Sequence, residues 1–295
     1  MRPPLSQPRM CDWTMSDGYA LRGRVWPPGD DTRDRAIIYL HGIQSHGGWF
    51  EWSASRLAQN GTAVILPDRR GSGLNATDRG DAPSSERWLD DIDELATWAQ
   101  REFGARTFDL VGVSWGGKPA LAWALRRPER VERLLLIAPG LFPAVDVGVR
   151  ARFQIGRSLL GGGRRMFPIP LNNPELFTDD PKGRAFIAKD PLKLTHATAR
   201  FFWHSTRLDR RLLRSPAGAL SAEVTLLLAG RDRIIRNAPT QEKIRRLSAN
   251  RAHVITFSEG VHTLEFGTET SRFDEIIGHW GDARTVRRDN RDLQP

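Results

Sequence analysis

Ser114 stands in a pattern that suits nucleophilic chemistry. Residues 112–116 fit the motif G-x-S-x-G, after an apolar β-branched run and before a stretch with helical periodicity. In that context the serine occupies a sharp turn between strand and helix, and the small residues two before and two after it allow close backbone approach. The first N–H groups of the helix favour negative charge there. The motif predicts Ser114 as a nucleophile; the alternative is a glycine-rich turn that only packs a helix on a sheet.

A serine hydroxyl needs a general base, and that base needs an orienting acid. Among the seven histidines, His262 directly follows the last predicted strand, and Asp232 directly follows the strand before it. Loops at the carboxyl ends of parallel strands gather at one edge of the sheet, where Ser114 also lies. The sequence therefore predicts His262 as the base and Asp232 as the acid. For Asp232, a surface ion pair with Arg231 or Arg233 is the alternative.

Acyl transfer also needs donors for the negative charge that develops on the substrate's carbonyl oxygen. The backbone N–H of Trp115, directly after the predicted nucleophile, supplies one donor. The N–H of Ile43, in the loop after the strand at residues 36–40, is predicted to supply the other. We further expect the side chains of His41, Trp49 and Trp203 to contact the substrate.

Short apolar runs alternate with longer amphipathic stretches along most of the chain, a pattern typical of a parallel sheet with helices on both faces. Residues 12–26 are predicted to form a hairpin around the two-residue turn signal Asp17-Gly18. The acidic residues on helix 85–103, from Asp90 to Glu94, are interpreted as a solvated face. The remaining predicted strands are 36–40, 63–66, 108–113, 134–138, 224–229 and 253–257, and the remaining predicted helices are 50–59, 115–127, 239–248 and 271–280.

The alternation breaks between residues 141 and 215. Gly161-Gly162-Gly163 and several prolines interrupt helical stretches there, and no sheet strand is evident. We therefore predict an α/β fold with a mostly parallel central sheet, built from residues 1–140 and 216–295. Residues 141–215, called the cap segment below, are predicted to be an inserted and largely helical subdomain.

Composition excludes several classes of protein. The 295 residues contain one cysteine, Cys11, so no intramolecular disulfide can form and a cysteine-type zinc site is not expected. No apolar run is long enough to cross a bilayer, and the proline-rich N-terminus lacks the apolar core of a signal peptide, which predicts a cytoplasmic protein. No nucleic-acid-binding motif is present, so we expect no nucleic-acid partner. The sequence does not indicate an oligomeric state.

Taken together, these motifs resemble the α/β-hydrolase superfamily, and more narrowly its monoacylglycerol lipase and lysophospholipase-like group. The resemblance spans residues 12 to about 280 and implies a carboxylic ester hydrolase with a Ser-Asp-His triad, an acyl-enzyme intermediate and no cofactor. In the loop after His41-Gly42, this chain has Gln44 where that group usually has a glycine. A tryptophan directly after the nucleophile, here Trp115, is also a point of similarity to prolyl iminopeptidases. The matching segments are the Asp17-Gly18 hairpin, residues 41–46, residues 68–73, residues 112–117, residues 230–232 and His262.

The cap segment carries fourteen basic and six acidic residues, and this excess of eight is most of the formal charge of +9. Apolar residues such as Phe153, Leu160 and Trp203 share the segment. One interpretation is a cap that admits an acyl chain and contacts an anionic head group or lipid surface; the other is an ordinary solvated basic surface. The functional alternatives are a thioesterase, an amidase or aminopeptidase on the same triad, and a binding module without turnover.

Overall fold

The computed structural model describes residues 2–29 and 34–282, within which eight strands form one sheet. Its strands are β1 (Arg9–Thr14), β2 (Ala20–Trp26), β3 (Arg35–Leu40), β4 (Ala63–Pro67), β5 (Thr107–Val113), β6 (Val131–Ile137), β9 (Glu223–Ala229) and β10 (His253–Phe257); β7 (Met166–Pro168) and β8 (His196–Thr198) lie outside it. The order across the sheet is β1-β2-β4-β3-β5-β6-β9-β10. Strand β2 is antiparallel to β1 and β4, and the pairs from β4 to β10 are parallel. The predicted mostly parallel sheet is confirmed.

The central strands are buried on both faces, which explains why they read as continuous apolar runs rather than alternating ones. In β3, residues 36–39 are fully buried. Helices flank the sheet outside the cap segment: α1 (Glu51–Ala58), α2 (Ser85–Phe103), α3 (Gly117–Arg126), α7 (Asn237–Leu247) and α8 (Thr270–Gly281). The start of the predicted helix 115–127 is a 3-10 turn over Ser114–Gly116.

The N-terminal hairpin turns differently from the prediction. The backbone N–H of Gly18 donates to the carbonyl of Met15, and the N–H of Met15 donates to the carbonyl of Tyr19. The loop therefore has three residues, not two, and Gly18 takes a positive φ of 79°. Glycine suits that left-handed position, which closes a three-residue hairpin loop.

Helix α2 has the predicted bounds because both of its ends are capped. The Ser84 side chain accepts from the N–H of Arg87, and Gly104 ends the helix in the left-handed conformation. The interpretation of its acidic residues as a solvated face is wrong for Asp91. That carboxylate is buried and pairs with Arg70 and Arg87, because the loop after β4 folds over this side of the helix.

The cap segment is inserted between two neighbouring strands, since β6 pairs directly with β9. It contains three helices, α4 (Val149–Leu159), α5 (Pro181–Lys189) and α6 (Ala199–Arg214). Contrary to the expectation of no strand, β7 and β8 lie here and form a small antiparallel sheet in which Phe167 pairs with Ala197. Across residues 2–29 and 34–282, none of the helices combines the length and apolarity that crossing a membrane requires.

Candidate active site

Ser114 lies on a strained turn between β5 and α3. Its φ is 51°, a left-handed conformation that a residue with a side chain adopts at an energetic cost. The glycines around it are required by packing: a Cβ on Gly112 would lie 2.7 Å from Cα of Gly117, and one on Gly116 would overlap the carbonyl oxygen of Leu40. The turn thus lifts the hydroxyl above the carboxyl end of β5.

The structure brings Ser114, His262 and Asp232 together. Nε2 of His262 lies 2.8 Å from Oγ of Ser114, and Nδ1 lies 2.9 and 3.1 Å from the two carboxylate oxygens of Asp232. The carboxylate also accepts from the backbone N–H groups of Ile234 and Ile235, at 2.8 and 2.9 Å. Because it faces Nδ1, that nitrogen carries the imidazole proton, and Nε2 is free to accept the serine's proton.

The strand order explains this convergence. Asp232 follows β9 and His262 follows β10, and these neighbouring strands pair in parallel up to Ala229 and Phe257. The side chains of His262 and Asp232 are only 3% and 0% exposed. The alternative pairing of Asp232 with the adjacent arginines is not formed; Arg231 and Arg233 instead contact Asp179 across the surface.

The residues of the two predicted oxyanion donors, Ile43 and Trp115, both lie near the serine. A Cβ on Gly42 would lie 3.4 Å from Cβ of Ser114, so the backbone leading into Ile43 passes close to the hydroxyl. On the other side, the N–H of Gly140 donates to the carbonyl of Ser114 at 2.8 Å and braces the turn that carries Trp115. Ile43, Ser114 and Trp115 all line one cavity. The role of the Ile43 and Trp115 N–H groups as oxyanion donors stays a prediction.

This cavity has a volume of about 1010 Å³ and lies between the sheet edge and the cap segment. It is large enough to enclose a drug-sized ligand or an acyl chain. Most of its wall is apolar, and the large apolar contributors are Leu141, Phe142, Val145, Val147, Ile155, Leu159, Ile169, Leu171, Phe202, Trp203, Leu213, Ile234 and Ile235. The charged contributors are Lys118, Asp146, Arg152, Asp209, Arg210 and Arg236.

Of the three expected substrate contacts, only Trp203 lines this cavity. Trp49 is 1% exposed, and its Nε1 donates to the carboxylate of Asp190 at 2.7 Å, so the ring joins the core to the cap segment. His41 is buried, and both of its ring nitrogens face backbone atoms. Neither Trp49 nor His41 reaches the cavity, because each side chain is already engaged in holding a loop.

A polar cluster in the cavity wall was missed from the sequence. The indole N–H of Trp115 donates to the hydroxyl of Ser205 at 3.0 Å, and Lys118 pairs with Asp209 at 2.8 Å. Burial raises the pKa of the Asp209 carboxyl. Lys118 lies one helical turn beyond the nucleophile, which could have indicated its place near the site, whereas its partners on α6 could not have been found by spacing. Within the described ranges, no group of His, Cys, Asp or Glu side chains is arranged to hold a metal ion.

A sheet of this order with a serine on a strained strand-to-helix turn defines the class of protein as an α/β-hydrolase. Comparison with known families agrees: residues 31–269 match the Hydrolase_4 family, described as serine aminopeptidase, S33. The chain belongs to this family.

Individual relatives and solved structures extend the comparison. The protein YnbC of Escherichia coli is 24% identical over 80% of this chain and 40% of its own length, and the phospholipase YtpA of Bacillus subtilis is 29% identical over 40% of this chain and 45% of its own. The chain thus spans less than half the length of these two relatives. A soluble variant of monoglyceride lipase from Saccharomyces cerevisiae superposes with a TM-score of 0.80 at 15% identity, covering 95% of this chain and 98% of that one. The monoacylglycerol lipase of Paleococcus ferrophilus gives 0.74 at 19% identity, over 94% and 98%. These structures share the fold.

Proposed function

We propose that this protein hydrolyses carboxylic esters with an apolar acyl chain, such as a monoacylglycerol or a lysophospholipid. Ser114 acts as nucleophile, His262 as general base and Asp232 as the acid that orients the base. The observation that carries the proposal is the 2.8 Å contact between the Ser114 hydroxyl and Nε2 of His262, at the wall of a large apolar cavity. The phospholipase and monoglyceride lipases among the similar proteins support the same substrate class.

The reaction follows from this geometry. Oγ of Ser114 attacks the ester carbonyl while Nε2 of His262 takes its proton, and Asp232 stabilises the imidazolium that forms. The N–H groups of Ile43 and Trp115 hold the oxyanion of the tetrahedral intermediate, and each such donor is typically worth about 10²–10³ in kcat. His262 donates its proton to the departing alcohol, and the acyl group remains on Ser114 as the acyl-enzyme. His262 then activates a water that releases the acid and restores the serine.

The charges of the cavity favour an ester over the peptide substrate of an aminopeptidase. An aminopeptidase must offer a free carboxylate to its substrate's ammonium group. The two carboxylates that line the described cavity wall are already paired, Asp146 with Arg152 and Asp209 with Lys118. The wall therefore presents apolar surface, two paired carboxylates and the further basic side chains of Arg210 and Arg236, which suits an acyl chain better than an ammonium group.

A panel of p-nitrophenyl esters of increasing chain length, assayed beside a monoacylglycerol and a lysophospholipid, tests the proposal. We expect turnover with a pre-steady-state burst, and loss of both turnover and fluorophosphonate labelling in Ser114→Ala. The matched control is Ser221→Ala, since Ser221 is exposed and lies two residues before the strand that follows the cap segment. Esterase activity that survives Ser114→Ala would refute the role of Ser114 as nucleophile. Preferred cleavage of thioesters or amides would refute the assignment of esters as substrates. A complete lack of turnover would indicate a binding module.

We further propose that the cap segment contacts an anionic lipid surface through α4. Val149, Phe153 and Leu160 are 83%, 74% and 91% exposed. The spacing of Val149 and Phe153 puts them on one face of the helix, and Leu160, the residue directly after the helix, continues that face. Arg150 and Arg157 are exposed beside this face. The apolar stripe can insert into the interface of a bilayer, and the flanking arginines favour an anionic one. Each basic residue near such a surface contributes about 1 kcal/mol to the free energy of binding. Other residues of α4 line the cavity, so a docked helix would bring lipid to its rim.

Vesicle co-sedimentation tests this contact. Binding should be stronger to anionic than to neutral vesicles and should weaken with added salt. The double variant Phe153→Ser with Leu160→Ser should lose it, while Met10→Ser, at an apolar residue exposed on β1, should not. Equal, salt-insensitive binding to both kinds of vesicle would exclude the proposal.

A further inference from the structure

Arg69 occupies an unusual position behind the predicted oxyanion hole. Its guanidinium donates to two successive backbone carbonyls: Nη1 to Gly42 at 3.1 Å and Nη2 to Ile43 at 3.0 Å. Both carbonyls belong to the loop after β3 that passes close to Ser114. Burial lowers the pKa of Arg69 to about 9, which leaves the guanidinium charged at neutral pH. A partly desolvated cation thus holds this loop from behind.

His41 provides a second donor to the same loop. Its Nε2 lies 2.8 Å from the backbone N–H of Arg69, so Nε2 must be the acceptor and the proton resides on Nδ1. Nδ1 lies 2.8 Å from the carbonyl oxygen of Gly42. Burial, together with the charge of Arg69, lowers the pKa of His41 well below its ordinary value, so the ring is neutral. The carbonyl of Gly42 therefore accepts two hydrogen bonds, one of them from a cation.

Arg69 also contacts the other half of the hole. Its guanidinium carbon lies 4.6 Å from the centre of the Trp115 ring and 5.2 Å from that of Phe201. The Trp115 ring is fixed in turn by its stacking on Phe201 and its edge contact with Trp88. A single side chain therefore joins the two loops that carry the predicted oxyanion donors.

We propose that Arg69 is a positioning residue that sets the geometry of the oxyanion hole and strengthens its Ile43 donor. The carbonyl of Gly42 and the N–H of Ile43 belong to one peptide group. Donation to that carbonyl withdraws electron density from the group and makes the N–H a stronger donor, by about 10–30% for each bond in such a chain. The charge on Arg69 enlarges the effect. This inference rests on the proposed function, because the hole has a purpose only in acyl transfer.

Kinetics give the first test. Removal of an oxyanion donor costs about 10²–10³ in kcat, so weakening one donor should cost roughly tenfold. We expect Arg69→Met to lower kcat on a p-nitrophenyl ester by about that factor while KM changes less than about twofold. Arg69→Lys keeps the charge but places its donors on a single nitrogen, so it should recover part of the loss. The control is Arg79→Met, since Arg79 also donates to loop carbonyls, those of Gly73 and Leu192, but not to this peptide.

The second test observes the peptide itself. Gly42-Ile43 is the only Gly-Ile pair in the sequence. Protein labelled with carbonyl-¹³C glycine and ¹⁵N isoleucine therefore gives a single peak in a spectrum that links carbonyl carbon to amide. We expect Arg69→Met to move the Gly42 carbonyl and the Ile43 amide proton upfield, Arg69→Lys to move them less, and Arg79→Met to leave them in place.

These readouts separate the two proposals. If the parent protein is active and the peak does not move in Arg69→Met or Arg69→Lys, the role of Arg69 is refuted. An equal loss of kcat in Arg79→Met would also refute it, because general loosening of loops would then explain the effect. If the parent protein hydrolyses no ester, the proposed function fails first, and a shifted peak would then report a peptide that is polarised without serving that reaction.

Discussion

The carboxyl of Glu265 is buried a few residues after His262, in the 3-10 turn Leu264–Phe266. One of its oxygens accepts from the backbone N–H of Ser53 at 3.0 Å, and the other has no hydrogen-bond partner among the described residues. Burial raises the pKa of this carboxyl to about 7 from an ordinary value of 4.5. The turn after the proposed base therefore carries a group that prefers to be neutral.

The sign of the resulting pH dependence is fixed by this upward shift. Between pH 4.5 and about 7 the folded protein retains a proton at Glu265 that the unfolded chain has lost. Stability therefore falls as the pH rises through this window, and the full cost is present above it. At about 1.4 kcal/mol per pKa unit, the cost approaches roughly 3 kcal/mol. Glu265→Gln keeps an acceptor for Ser53 and removes the charge, so it should abolish this term.

Urea unfolding of parent and variant across pH 5 to 8 measures the difference. We expect Glu265→Gln to match the parent protein near pH 5 and to exceed its stability by about 3 kcal/mol at pH 8. Glu242→Gln, at an exposed position on α7, should show no such divergence. A difference between Glu265→Gln and the parent that stays constant with pH would refute the reasoning, since it would show that the carboxyl has the same pKa in the folded and unfolded states.

Three further changes test other contacts. Asp232→Asn should lower kcat for ester hydrolysis by about 10³–10⁴, because an amide does not favour the His262 tautomer that can accept a proton, and a loss under tenfold would contradict the role. Gly116→Ala should destabilise the fold by roughly 3 kcal/mol in urea unfolding, because the added methyl overlaps the Leu40 carbonyl; an unchanged midpoint would be inconsistent with this packing. Asp190→Asn should cost roughly 2 kcal/mol at pH 7. Burial raises the pKa of Asp190, but its hydrogen bonds lower it further, so the net pKa is below the ordinary value. The parent protein should therefore be more stable than Asp190→Asn above about pH 4, and this difference should disappear in stronger acid.

The strands and the three converging residues could be predicted because each depends on local sequence. A buried parallel strand is a short apolar run, and its carboxyl end is visible where the run stops. Asp232 and His262 stand directly after such runs, so topology alone brings them near Ser114. The predicted length of the hairpin loop was wrong for a local reason, since Asp17-Gly18 also suits a three-residue loop.

What could not be predicted depends on contacts between distant segments. Asp91 appears solvated on a helical wheel, but Arg70 approaches it from the loop after β4. The sequence places His41 where it could contact a substrate, but in the structure its ring accepts a hydrogen bond from the N–H of Arg69. Likewise, the indole N–H of Trp49 donates to Asp190, and the ring lies away from the cavity. In each case a polar partner far along the chain decides which way the side chain faces, and periodicity carries no information about it.

The direct pairing of β6 with β9 has a consequence for how such a protein can change. Leu134 and Val224 lie side by side in the sheet, so no other strand separates the strand that the chain leaves from the strand that it joins next. Residues 138–222 form a detour, and replacing most of them would leave every ladder of the main sheet intact. Much of the cavity wall lies in that detour, while Ser114, Asp232 and His262 lie outside it. Exchange of this one segment would therefore replace much of the cavity wall and keep the three residues of the proposed triad.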